Sequence, residues 1–99
     1  MQVSFRTRRL QRNYEDANRA IVDWGHDVGL RYVQRISEIL DAQNVDQLYR
    51  TPALRLHPLR GSRSGELSIY LTGRWRLIIT MGYTPQSVII EEVSNHYGD

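Results

Sequence analysis

The chain contains no cysteine and no lysine. Without cysteine there is neither a disulfide frame nor a thiolate metal site. No apolar run approaches the roughly 18 residues that a membrane-spanning helix needs. Arginines stand early in the chain, where a secretory leader would need its apolar segment. These absences point to a cytoplasmic protein that makes no use of a membrane. The absence of lysine makes all thirteen basic residues arginine. Genome base composition accounts for that as readily as selection does. Physically, arginine keeps its charge at any relevant pH and offers a planar fork suited to phosphate.

A length of 99 residues suffices for one domain (1–99) with one modest core. The net charge of +2 is too small to hold nucleic acid by bulk field, so its distribution matters more. Arg6, Arg8, Arg9 and Arg12 form one basic group. Residues 55 to 76 form a second, with five arginines (Arg55, Arg60, Arg63, Arg74, Arg76) against the single acid Glu66. Residues 13 to 50 carry seven acids against four arginines, so one basic and one acidic or mixed face are expected.

Gln2 to Phe5 reads as a short strand. From Thr7, a plausible N-cap, the positions Leu10, Tyr14, Ala17 and Ile21 recur at helical spacing. The Trp24-Gly25-His26-Asp27 stretch interrupts them, and Asp27 is placed to cap a second helix reaching about Gln43. Its apolar face would carry Leu30, Val33, Ile36 and Leu40. A connector follows, with one helical turn near Asp46 to Tyr49. After Pro52 the period becomes two. Leu54 and Leu56 alternate with Arg55 and His57; Leu67, Ile69 and Leu71 with Ser68 and Tyr70; Trp75, Leu77 and Ile79 with Arg76 and Ile78. Val88 to Val93 is a final apolar run, and glycine-bearing turns separate these segments. The expected fold is α+β: two N-terminal helices packed on one face of an antiparallel sheet of about four strands. If the leucine and isoleucine set faces the helices, His57, Tyr70 and Arg76 share the opposite face, which should be polar, basic and open to solvent.

Leu56-His57-Pro58-Leu59-Arg60-Gly61, Arg63-Ser64-Gly65-Glu66-Leu67-Ser68-Ile69 and Arg74-Trp75-Arg76-Leu77-Ile78 lead to a terminal apolar strand with a His/Tyr pair after it. In these motifs the chain resembles the RelE/ParE toxin superfamily, and within it the HigB-like killer proteins. The resemblance is specific over about residues 54 to 81 and looser elsewhere. It implies the RelE-like fold and the toxin role of a type II toxin–antitoxin module. The implied activity is a ribosome-dependent, metal-independent endoribonuclease that cleaves mRNA, with no cofactor. The implied partners are a helix-turn-helix (HigA-like) antitoxin, the ribosome and mRNA, with operator DNA reached only through the antitoxin. Two departures stand out: Arg60 replaces the usual lysine, and Ser94-Asn95 precedes His96-Tyr97 where the family has Asp-Tyr before its histidine.

Cleaving RNA without metal requires deprotonating a 2′-OH, offsetting charge on phosphorus and protonating the leaving 5′-oxygen. Histidine serves either proton step near neutral pH, whereas arginine binds charge but is a poor base. His57 and His96 are therefore the proton-transfer candidates, Arg60 and Arg76 the phosphate clamp, and Tyr97 a stacking or orienting residue. Arg6, Arg8, Arg9, Arg12, Arg63, Tyr70 and Arg74 are candidate RNA contacts, since phosphate contacts position a protein without specifying sequence. The three scattered histidines lack metal-ligand spacing. Trp24 and Trp75 are expected in the core, and His26 at a helix junction. Two other functions stay open: a ParE-like block of DNA gyrase, and a non-catalytic RNA- or partner-binding role.

Overall fold

A computed structural model describes residues 1–95. Gln2–Phe5 forms β1, and the helical layer follows as α1 (Arg8–Glu15), α2 (Ala17–Trp24), α3 (His26–Asp41) and the short α4 (Val45–Tyr49). A single 3₁₀ turn at Pro52–Leu54 leads to β2, only His57–Pro58. A second 3₁₀ turn at Gly61–Arg63 precedes β3 (Glu66–Thr72), β4 (Trp75–Met81) and β5 (Ser87–Ser94). The five strands form one sheet in the order β1-β5-β4-β3-β2.

Thr7 caps α1 as expected, its Oγ1 accepting the Leu10 N–H at 3.2 Å. The first helical run then breaks once more than its periodicity predicts. Asp16 leaves the helical region (φ −138°, ψ 102°), and its carboxylate accepts the Asn18 N–H at 3.0 Å to start α2. An aspartate competes well with helical backbone for its own N–H groups, so it ends one helix and caps the next. Gly25 (φ 91°), not Asp27, stands at the head of α3. The buried face of α3 is also rotated about the helix axis from the expected one, keeping Ile36 and, at its edge, Val33. Val28, Tyr32, Ile36 and Ile39 are buried, whereas Leu30 and Leu40 are exposed. Gly29 decides this, because α2 crosses so closely that a Cβ there would lie 2.7 Å from the Ile21 backbone nitrogen.

The β3-β4-β5 meander is antiparallel as expected, whereas β1 pairs parallel with β5, matching Gln2 to Ser87 and Phe5 to Ile90. The sheet is thus mostly antiparallel with one parallel edge. The helices cover one face, burying Leu67, Ile69, Leu71, Leu77, Ile79, Val88 and Ile90 against Leu10, Ala20, Val28, Tyr32, Ile36, Ile39 and Leu48. Trp24 and Trp75 pack at the margin of this core, Trp24 edge-on to Tyr32 at 4.7 Å. Burial raises the Tyr32 phenol well above its ordinary pKa, and its hydroxyl donates to the Leu10 carbonyl at 2.6 Å. No helix among the described residues is long and apolar enough to cross a membrane.

Two register shifts shape the other face. Tyr70 lies opposite Arg76 and Thr72 opposite Trp75, so Leu71 is the extra residue of a bulge beside the Gly73–Arg74 turn. Ile78 lies opposite Glu92 and Ile79 opposite Ile90, so Glu91 is the extra residue of a second. Strict alternation would send one of the two glutamates into the core. The bulge lets both reach the helix-free face, where Glu91 accepts from Thr80 Oγ1 at 2.6 Å and Glu92 from Arg63 at 3.3 Å.

Candidate functional site

Partners directly opposite in a sheet share a face. The pairs His57–Ser68, Ser68–Ile78 and Ile78–Glu92 form one row of the helix-free face, and Tyr70–Arg76 and Arg76–Ser94 form the next. His57, Tyr70 and Arg76 therefore meet on one surface, as alternation predicts. The face is not uniformly open, however. Ser68 and Ile78 at its centre are buried, as is Leu59 beside them. Arg63, held by Glu66 at 2.7 Å, reaches over β4 to Glu92 at 3.3 Å, roofing this patch. The Ser68 Oγ beneath has no hydrogen-bond partner among the described residues.

The segment before His57 is not the strand that its alternation suggests. Arg55 ends the 3₁₀ turn in the left-handed region (φ 47°, ψ 42°), the sole non-glycine residue with positive φ among those described. This turns the Arg55 carbonyl to the His57 ring, with Nδ1 3.2 Å from the oxygen. A carbonyl only accepts, so Nδ1 carries the proton and Nε2 is the nitrogen left for other work. The Arg55 guanidinium lies 4.5 Å from the Tyr70 ring centroid, and that of Arg76 lies 5.0 Å from the same centroid. Arg76 is further held by the Gly73 and Trp75 carbonyls at 3.2 and 3.1 Å, and the Tyr70 hydroxyl accepts the Gly73 N–H at 3.0 Å.

A buried arginine supports this arrangement from behind. Beyond Ser68, β3 has no strand on its outer edge, because β2 is only two residues long. Arg35 of α3 donates to the Tyr70 carbonyl at 3.0 Å and the Ala53 carbonyl at 3.1 Å, and pairs with Glu38 at 2.8 Å. Arg31 donates to the carbonyl of the bulged Leu71 at 3.1 Å. Two guanidiniums thus satisfy backbone acceptors that a longer strand would have satisfied.

The remaining sequence candidates divide by charge pairing. Arg6 pairs with Glu91 at 2.8 Å and Arg9 with Asp23 at 2.7 Å, while Arg63 is held by Glu66 and Glu92. Arg6 and Thr80 hold the Glu91 carboxyl below its usual range despite partial burial, and Arg9 and Asn13 do the same for Asp23. Arg8, Arg12 and Arg60 are exposed without an acidic partner among the described residues, and Arg74 is exposed at the β3–β4 turn. Arg9 and Arg12 line a groove of about 470 Å³ with Arg19, Val22 and Asp23 in the helical layer, away from His57. His26 opens α3, exposed, with Nδ1 3.3 Å from Asp27. His96 and Tyr97 lie outside the described residues; β5 ends at Ser94, directly opposite Arg76. Arg55 shares this surface yet was not among the sequence candidates. Its place in the basic segment was visible, but its left-handed backbone was not.

No family model and no curated protein matches the chain. Solved structures do. A YoeB/ParE toxin from Agrobacterium tumefaciens is 21% identical with a TM-score of 0.58, over 98% of this chain and 100% of that one. A chain of the YoeB–YefM complex from Staphylococcus aureus is 18% identical with a TM-score of 0.56, over 98% of each. A chain of the toxin–antitoxin complex RelBE2 from Mycobacterium tuberculosis is 21% identical with a TM-score of 0.50, over 96% of each. The chain has the fold of the RelE/ParE toxins.

Proposed function

We propose that the protein is the toxin of a type II toxin–antitoxin module, acting in the cytoplasm as a ribosome-dependent endoribonuclease on mRNA. One observation carries the reading. The helix-free face carries both His57, its Nδ1 engaged by the Arg55 carbonyl, and an Arg76 that no carboxylate among the described residues neutralises.

In the proposed reaction the 2′-oxygen attacks the adjacent phosphorus. The O2′–P bond forms, the P–O5′ bond breaks, and a cyclic phosphate and a 5′-hydroxyl result. One group accepts the 2′ proton and another supplies a proton to O5′. His57 exchanges its proton through Nε2, since Nδ1 is engaged by the Arg55 carbonyl. Arg76, anchored by two carbonyls, holds the charge that grows on the phosphoryl oxygens. On the strength of the family resemblance, His96 is the second proton-transfer group, Tyr97 orients the 2′-OH, and Arg60 joins the phosphate clamp. Of the other sequence candidates, Arg74 would contact RNA beside that centre and Arg8 and Arg12 more distant phosphates, whereas Arg6, Arg9 and Arg63 are engaged by carboxylates and Tyr70 by the guanidiniums. Metal has no part in this scheme. The partner that silences the toxin is an antitoxin, of the helix-turn-helix HigA-like class. A solved structure of like fold is a toxin–antitoxin complex, which supports an antitoxin partner without bearing on its class.

The test is to induce the wild type, His57→Ala, Arg76→Ala and His96→Ala in cells while mapping mRNA 5′ ends. Codon-phased new ends with the wild type, lost in the variants, are expected. Growth arrest with intact mRNA and inhibited supercoiling would replace the reading with a gyrase poison. Absence of both effects would leave a binding role.

A further inference from the structure

The arginines of the helix-free face sort into neutralised and un-neutralised ones. Arg6 and Arg63 meet carboxylates at 2.8 and 2.7 Å. Arg55 and Arg76 have no acidic partner among the described residues, yet both are gathered on the Tyr70 ring. Two cations drawn to one aromatic ring repel each other, and the ring only partly offsets that. Such a pair is set for an anion. Its backbone is informative too: the left-handed region disfavours any residue with a Cβ, and glycine would serve the turn better. The Arg55 carbonyl holds His57 whatever the side chain is, so the guanidinium needs its own explanation.

We infer that Arg55 is a substrate-binding residue that, with Arg76 and with Tyr70 as their common mount, grips consecutive phosphodiesters of single-stranded RNA at the His57 site. The inference rests on the RNA-cleaving reading above and adds to it a residue and a role. Tyr70, its ring occupied by guanidiniums and its hydroxyl by the Gly73 N–H, orients the clamp instead of stacking on a base. The left-handed turn at Arg55 couples the two parts of the site. One residue supplies the carbonyl that sets the His57 tautomer and the cation that seats the neighbouring phosphate.

The experiment measures binding of the full chain to a fluorescent 2′-O-methyl RNA heptamer, which cannot undergo 2′-OH attack, by anisotropy over a salt series. Arg55→Gly and Arg55→Asn both suit the left-handed backbone and remove only the cation. Each should melt near the wild type and bind roughly tenfold more weakly. The slope of log K against log salt should shrink by about 0.7, the value for one phosphate contact on a single strand. If the wild type binds and both variants match its affinity and slope, Arg55 is not a phosphate ligand and only this inference falls. If the wild type itself binds no RNA, this inference falls, whereas the ribosome-dependent reading stands or falls by the mapping of mRNA 5′ ends. Loss of folding in both variants overturns the inference and makes Arg55 a structural residue.

Discussion

Replacing Arg35 with methionine tests how the site is held. The side chain is 3% exposed, and its guanidinium joins α3 to the Tyr70 and Ala53 carbonyls and to Glu38. Methionine fills similar volume, so the loss is chiefly electrostatic. Swapping a whole buried ion pair for apolar residues is often harmless, but here two backbone carbonyls remain that no mutation removes. Each stranded acceptor costs about 1–3 kcal/mol, and breaking a buried charged network about 3–5 kcal/mol in all. For a domain of this size that lowers the melting temperature by roughly 15–30 °C. Glu38, more than a third exposed, can turn to water, so Glu38→Gln should cost at most about 1 kcal/mol. Urea unfolding with a common m-value gives the stabilities, and amide exchange over residues 53–58 reports the local consequence. Exchange there should accelerate more than in β4 and β5, because the Ala53 carbonyl loses its tie to α3. Arg35→Met within about 1 kcal/mol of the wild type would refute this account, as would a Glu38→Gln variant equally damaged.

Gly29→Ala sets a helix-propensity gain of up to about 1 kcal/mol against a Cβ driven into the α2 backbone at 2.7 Å. Backbone cannot swing aside, so a net loss of about 1–3 kcal/mol in denaturant unfolding is expected. Ser68→Ala removes a fully buried hydroxyl that lacks a partner among the described residues, and should raise stability by about 1 kcal/mol. A lower melting temperature for that variant would show that the hydroxyl is satisfied. The Glu91 carboxyl titrates below its ordinary 4.5 when folded. Its contribution is therefore full above the unfolded pKa and lost as pH falls through the depressed folded one. Melting temperature should drop below about pH 4, and Glu91→Gln should flatten that acid limb without abolishing it, because Asp23 titrates in the same sense.

Alternation along residues 66–81 was enough to place Tyr70 and Arg76 on one face, because a strand's period of two leaves little freedom once the apolar set is buried. Thr7 announced α1 because a cap acts within three residues. Other features were silent. Leu30 and Leu40 fit a helical stripe as well as Val28 and Tyr32 do, and only the close crossing at Gly29 selects between them. Glu91 and Glu92 share a face because of a bulge whose cause lies in the pairing with β4.

The sequence by itself determined the local periods, the Thr7 cap, the basic segment at 55–76 and the face that His57, Tyr70 and Arg76 share, since each acts over a few neighbouring residues. Tertiary structure decided what depends on distant partners. It set β1 parallel to β5, spent Arg6 and Arg63 on glutamates far along the chain, and buried Arg35 behind Tyr70. It also turned Arg55 onto the Tyr70 ring. Which arginines are free to meet a phosphate depends on which carboxylates the fold brings near, and charge pairing across such separations leaves no trace in local spacing.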